Sequence, residues 1–165
     1  MAASTVPKVR RDGSITLIDG TSPTALEYVV SYEDGDLTFS GDKADRVVIR
    51  DRGTIVGVRL ADDPVQSLSF SVHMRDFTDG TSTNLVDVIT QAGAASAWKS
   101  VASGAYSPYL LNCRLNIEGT DHDDTSDHSA VLASCLFTYS FSEGDPNVIN
   151  VSAEVYGSTT FTGQS

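Results

Sequence analysis

The stretch SLSFSVHMR, residues 67 to 75, alternates apolar and polar side chains without a break. Leu68, Phe70, Val72 and Met74 fall on one side, and Ser67, Ser69, Ser71, His73 and Arg75 on the other. Successive side chains of an extended chain point to opposite faces, so this pattern dictates a strand with one face buried and one face wet. The pattern recurs. NCRLNIE turns Cys113, Leu115 and Ile117 inward, and NVINVSAEVY turns Ile149, Val151, Ala153 and Val155 inward. VLASCLFTYSF predicts Val131, Ala133, Cys135, Phe137, Tyr139 and Phe141 on the inner face, against Ser134, Thr138 and Ser140. Several half-buried strands in one chain must cover one another's apolar faces, which restricts the fold to antiparallel sandwiches and barrels.

Shorter strand-like runs precede these: SITLI, LEYVVSY (Leu26, Tyr28, Val30 and Tyr32 on one face), DLTFS, RVVIR and TIVGVRL. Asp34-Gly35 reads as a tight hairpin turn and Arg52-Gly53 as a weaker one, because glycine accepts the positive φ of a primed turn. GDPN, residues 144 to 147, is a third break. The expected fold is mainly β, an antiparallel sandwich or barrel-like domain of about eight or nine strands. One helix flanks it over residues 83–92, where Leu85, Val88, Ile89 and Ala92 recur at helical spacing. Thr83 or Asn84 caps its start, Asp87 favours the positive pole there, and Gly93 is placed to end it. The helix is expected to lie on a sheet or over a sheet edge. The small-residue stretch that follows, residues 92–108, reads as loop anchored by Trp98, with a second short helix left open.

At 165 residues the chain reads as a single domain, residues 1–165, large enough to fold without metals or disulfides. Its polar ends, residues 1–13 and 157–165, lack a second apolar face; they either fray or dock as arms on neighbouring copies. No window approaches the roughly 18 apolar residues of a membrane helix. Nor does the start supply a secretory signal, so folding in a cytoplasm is expected. Cys113 and Cys135 fall on apolar strand faces and read as free core thiols.

Charge is unevenly spread. The net charge is −11, and after Arg114 there is no lysine or arginine. Those last 51 residues carry eight acids, leaving fourteen acids against eleven bases before them. Nucleic-acid binding rests on cations that neutralise phosphates, so this surface repels a polyanion.

The densest acidic stretch is GTDHDDTSDHS, residues 119–129, with Asp121, Asp123, Asp124 and Asp127. A calcium loop counted from Asp121 needs Asp or Asn at its fifth position, Gly at its sixth and Glu at its twelfth; Thr125, Ser126 and Leu132 stand there. His122 and His128 lack the spacing and companions of a zinc site. The stretch reads as a solvated acidic loop at a hairpin tip, and no cofactor is expected. G-x-S-x-G, phosphate-loop and dinucleotide motifs are absent. His73 lies on a serine-rich polar face, the aspartate pairs Asp62-Asp63 and Asp123-Asp124 sit in turns, and cysteines on apolar faces are poor nucleophiles. Catalysis is not expected. Most aromatics (Tyr28, Tyr32, Phe39, Phe70, Phe137, Tyr139, Phe141) are in register with inward faces, whereas Trp98, Tyr106 and Tyr109 share one loop, where core or interface packing is the expected use.

The order of elements resembles the tail tube proteins of long-tailed bacteriophages and phage-derived tail machines. The resemblance is carried by RDRGTIVGVRLADDPVQSLSFSVHMRDFTD, the capped helix after it, and FSEGDPNVINVSAEVYG, and covers roughly Leu26 to Gly157. It implies a sandwich with a flanking helix that assembles into rings, typically of six copies. Stacked rings would form a tube with an acidic lumen through which DNA leaves the capsid, in a virion tail. It implies a tape measure protein and tail terminator or tail-tip proteins as partners. A heterologous contact that closes by rotation gives a ring, and unclosed stacking gives a filament. The loop SGDKADR, with Gly41, Asp42, Lys43, Ala44, Asp45 and Arg46, is the candidate inter-ring contact; Asp121, Asp123, Asp124 and Asp127 are candidates for the lumen or ring edge. An extracellular β-sandwich binding module, with calcium supporting the acidic loop, is the alternative.

Overall fold

The computed structural model describes residues 13–30, 36–41, 45–74, 82–117 and 127–163. These form ten strands: β1 (Gly13–Ile18), β2 (Glu27–Val30), β3 (Thr38–Ser40), β4 (Arg46–Asp51), β5 (Thr54–Leu60), β6 (Gln66–His73), β7 (Leu111–Ile117), β8 (His128–Ser142), β9 (Val148–Val155) and β10 (Thr159–Gly163). The one α-helix among the described residues, α1, is Leu85–Thr90. The fold is mainly antiparallel β, as the alternation predicts. Eight strands form one sheet in the order β2-β1-β7-β8-β9-β6-β3, with β10 beside β8, while β4 and β5 form a separate two-stranded sheet.

The fifteen-residue β8 joins the two halves of the large sheet. Its first half runs between β7 and β10, and its second half pairs with β9 from Cys135 to Ser142. The expected inner face of β8 is wrong over its first half. Ala130 and Leu132 are buried there, not Val131 and Ala133, whereas Cys135 and Phe137 are buried beyond. A bulge makes the switch: Cys113 pairs with Leu132 but Leu111 with Cys135, so three steps along β8 oppose two along β7. Ser134 takes the extra step with φ 55°, and its N–H is held by the Asn112 Oδ1 at 3.0 Å. One inserted residue inverts the side-chain parity, which no period-two count across it can reveal. On the other flank the Gly157 N–H donates to the Ala133 carbonyl at 3.0 Å. A Cβ on Gly157 would lie 2.6 Å from that oxygen, so only glycine lets the chain step from β9 to β10 here.

Within the C-terminal arm, Thr159–Gly163 do not fray but pair with His128–Leu132 of their own chain. Residues 1–12 of the N-terminal arm and the Asp34-Gly35 turn lie outside the described residues. The GDPN turn joins β8 to β9, its Gly144 N–H held by the Asn147 Oδ1 at 3.0 Å.

Ile15, Leu17, Leu68, Phe70, Val72, Leu111, Cys113, Leu132, Phe137 and Val151 are among the buried residues of a single core, with Leu85, Val88 and Ile89 of α1 and Trp98 added from one side. Six helical residues are too few to persist alone, so packing against β2 and β8 holds them. Asn84 supplies the N-cap, accepting the Asp87 N–H at 2.9 Å while its Nδ2 donates to the Asp87 carboxylate at 3.1 Å. The helix stops at Gln91, in the left-handed region at φ 54°, two residues before the glycine expected to end it. Gly93 instead opens a short 3₁₀ turn to Ala95.

Asp19, immediately after β1, is buried among backbone donors. Its carboxylate accepts N–H groups of Thr21 (3.0 Å), Leu26 (2.7 Å) and Lys99 (3.0 Å) and the Thr21 hydroxyl. Burial alone would push its pKa up. The four hydrogen bonds outweigh it and hold the pKa below the usual carboxylate value.

Candidate assembly surface

The β4–β5 hairpin is the part of the described chain whose sequence and surroundings disagree most. Arg52 (φ 46°) and Gly53 (φ 85°) make the two-residue primed turn expected there. The hairpin's base is closed by the Ala61 N–H donating to the Asp45 carbonyl at 2.7 Å. Cross-strand pairing puts Val48 and Val58 on one face, and Ile49 opposite Gly57 on the other. Both faces are thus apolar, the pattern of a strand covered on both sides. Yet among the described residues β4 and β5 pair only with each other. Val47, Val48, Ile49, Ile55, Val56, Val58 and Leu60 stand 39 to 72% exposed, seven of the fifteen large apolar residues exposed among the described ones.

The hairpin is also cationic. Residues 46–60 hold four of the chain's eleven bases, Arg46, Arg50, Arg52 and Arg59, against Asp51 alone, so the net charge is +3. The remainder of the chain carries −14.

A second exposed apolar feature lies at the far end of β8. Thr138 to Ser142 are all exposed, and Tyr139 and Phe141, expected inside, extend past the core with their rings edge to face at 5.4 Å. Phe70 and Phe137 are buried as expected, and Tyr28 and Phe39 only partly. Tyr32 is outside the described residues. Of the loop aromatics, Trp98 is in the core, Tyr109 is packed against it and Tyr106 is fully exposed. Desolvation, with the Asp19 charge adding to it, pushes the Tyr109 hydroxyl up to about 12.

The outer face of β6, β9 and the end of β8 is a carpet of hydroxyls. Ser69, Ser71, Thr138, Ser140, Asn150 and Ser152, with Asp36 at one margin, line an open cleft of about 390 Å³. The Asp36 carboxylate takes the Ser71 N–H at 2.9 Å, and Thr138 and Ser152 share a hydrogen bond of 2.8 Å. The lining offers hydrogen bonds but no cation, so a polyanion finds no anchor on it.

Of the residues predicted as sites, Gly41 is exposed, Asp45 closes the hairpin base, and Arg46 is the first residue of β4. Asp42, Lys43 and Ala44 lie outside the described residues, as do Asp121, Asp123 and Asp124. Asp127 is half-buried at the start of β8, at the opposite end of that strand from Tyr139 and Phe141. Among the described residues no three of His, Cys, Asp and Glu converge as metal ligands. Cys113 and Cys135 are buried free thiols; desolvation first, and each other's proximity, raise Cys113, and desolvation raises Cys135 to about 12. The sequence marks TIVGVRL and VLASCLFTYSF as strands but names neither β5 nor the tail of β8 as a candidate site, although an apolar run on both strand faces is the signal for the first.

No family model matches the chain, and no curated protein matches it. Its fold is shared with solved chains of injection machines. A chain of the PVC sheath/tube terminator of an extracellular contractile injection system, in the extended state, aligns with TM-score 0.62 and 9% identity over 97% of this chain and 99% of that one. A chain of the anti-feeding prophage baseplate, 6-fold symmetrised, aligns with TM-score 0.60 and 10% identity over 96% and 97%. One from the PVC sheath-tube complex in the extended state aligns with TM-score 0.59 and 9% identity over 98% and 99%. At these identities the likeness is one of fold, and it extends over almost the whole length of each chain.

Proposed function

We propose that this chain is a non-catalytic structural subunit of a phage-type tail tube. Copies close into rings of six, and the rings stack into a tube that conducts DNA during genome delivery. The whole of residues 1–165 acts as one domain, with the N-terminal residues as an arm. The observation that carries this reading is the β4–β5 hairpin, apolar on both faces and exposed on both. Covering a buried aliphatic side chain is worth roughly 1.5–3 kcal/mol. With about half of each of seven side chains left to cover, docking would gain on the order of 5–10 kcal/mol before the costs of association. A lone domain has no use for such an arm, whereas a ring stack has a place for it beside residues 41–46. Fold likeness to chains of sheath-tube and terminator complexes supports the same reading.

The hydroxyl face of β6, β8 and β9 suits the lumen wall, with Asp121, Asp123, Asp124 and Asp127 as acidic residues of the lumen or ring edge. A tape measure protein, terminator and tail-tip proteins are the partners in a virion tail, after synthesis in the host cytoplasm. Negative-stain micrographs and sedimentation of concentrated purified protein test this: rings or tubes are expected. A strictly monomeric protein that gains thermal stability only with calcium would overturn it in favour of a binding module.

A further inference from the structure

The two faces of the β4–β5 hairpin differ in charge, and the register sorts them. Arg46 stands opposite Leu60, Val48 opposite Val58 and Arg50 opposite Ile55, at alternate positions of β4, so these residues share one face. Val47 opposite Arg59, Ile49 opposite Gly57 and Asp51 opposite Thr54 make up the other. The register shift between Ile49 and Arg50 takes up Val56 as an extra residue of β5, and β4 keeps its alternation through it. The first face therefore joins the exposed side chains of Val48, Ile55, Val58 and Leu60 to Arg46 and Arg50, with no acid. The second joins Val47 and Ile49 to Arg59 and Asp51, so its charges cancel. The Arg50 guanidinium donates to the Gly53 carbonyl at 3.4 Å, and among the described residues no carboxylate pairs with a hairpin arginine.

Opposite faces of a two-stranded ribbon point in opposite directions, so one flat surface cannot cover both. A ring that also stacks gives each copy two kinds of neighbour, one around the ring and one along the axis. We infer that the hairpin lies between two neighbouring copies of this chain, its cationic face on the acidic body of one and its neutral face on the other, so that ring closure and stacking meet at this arm. This rests on the proposed tube assembly and gives the arm two joints of different physics. Charge selects a second copy as the occupant, because the hairpin carries +3 and the rest of each chain −14. Arg46 and Arg50 are about 13 Å apart along the strand, so each faces its own part of that acidic surface. Ionic attraction fades as salt shortens the screening length from about 10 Å at about 0.1 M to about 3 Å at about 1 M, whereas aliphatic burial persists. One joint is thus sensitive to salt and the other is not.

Two variants separate the faces, read by sedimentation and micrographs in about 0.1 M and about 1 M NaCl. Val48→Thr with Val58→Thr alters the cationic face, and Val47→Thr with Ile49→Thr alters the neutral one. Threonine keeps the branched shape that a strand favours but carries a hydroxyl that is costly to cover. Each monomer should therefore keep the wild-type melting curve while losing one joint. The two variants should halt at different products, single rings from one and open strings of subunits from the other, because one joint closes rings and the other stacks them. The variant with its cationic face intact should need on the order of tenfold more protein to assemble in the higher salt. The variant with its neutral face intact should assemble alike in both. If the wild type forms tubes and either variant does so as readily, or both halt at the same product or respond alike to salt, the two-joint inference fails and the tube reading stands. A wild-type chain that is monomeric at every concentration removes both.

Discussion

Strands β6 and β5 are close in length and both rich in branched or aromatic apolar residues, yet one is half inside the protein and the other wholly outside. In β6 serines separate Leu68, Phe70 and Val72, and those three are 1 to 3% exposed. In β5 Ile55, Val56 and Val58 surround a glycine, and all three are more than half exposed. The difference teaches what a strand's pattern reports. Strict alternation states that one face will be covered, and the chain covers it itself. Apolar residues on both faces state that two faces will be covered, and here the single chain covers neither. Under the proposed function, the pattern of β5 describes the assembled tube rather than the isolated subunit.

The comparison can be broken most directly by truncating one side chain in each strand. Phe70→Ala leaves a cavity under β6 and should cost about 3–5 kcal/mol of monomer stability in denaturant unfolding. Val58→Ser should leave that stability within about 0.5 kcal/mol, as for exposed sites generally, while weakening ring or tube formation. If Val58→Ser instead destabilised the monomer by several kcal/mol, the hairpin would be packed on its own body in solution and the contrast would be gone.

Acid separates the two regions in a second way. The body has a buried carboxylate at Asp19, tying the end of β1 to Leu26 and Lys99, and the hairpin's charges are exposed. Because the folded pKa of Asp19 is depressed, its contribution is fully present above the unfolded value of about 3.9 and is lost as pH falls through the folded value. Asp19→Asn turns one acceptor oxygen into a donor facing backbone N–H groups. It should cost about 1–3 kcal/mol at neutral pH, with the gap to wild type narrowing below about pH 4. A constant gap down to about pH 2 would mean that Asp19 titrates alike in the folded and unfolded chain, so that its hydrogen bonds do not favour the carboxylate.

Much of this was legible in the sequence, for reasons that differ between segments. Period two identified β6, β7 and β9 with most of their inner residues, Met74 and Ile117 at the strand ends being only half-buried, because those strands run without interruption. The Asn84 cap was legible because its partner, Asp87, is three residues away, within the reach of local chemistry. The hairpin turn at Arg52-Gly53 was legible from the glycine. The inner face of early β8 was not, since the extra residue at Ser134 is set by Asn112 and Gly157, which are distant in sequence. The strand at Thr159–Gly163 was hidden in a polar tail that has no apolar face of its own. As for the candidate surface, charge density pointed to the acidic loop, and the tail-tube resemblance, with a long loop between two strand runs, pointed to residues 41–46. Detachment of the neighbouring hairpin is a property of the tertiary structure, and no periodicity states it.

The smallest effect expected is at the bulge that separates the buried half of β8 from its exposed tail. Ser134 sits at φ 55°, where a side chain crowds the following carbonyl, at a cost of roughly 1–2 kcal/mol for an ordinary residue. Ser134→Gly relieves that crowding but frees the unfolded chain, so a net gain of about 0.5 kcal/mol is expected. Ser134→Val should do the reverse, losing about 1–2 kcal/mol, because a branched side chain tolerates the left-handed region least. The two substitutions test whether the inserted residue holds the switch in side-chain parity at residues 132–135. If both variants were as stable as the wild type, β8 would be free to run straight through Ser134. Val131 and Ala133 would then share the face of Cys135 and Phe137, and the division of β8 into a buried half and an exposed half would fail.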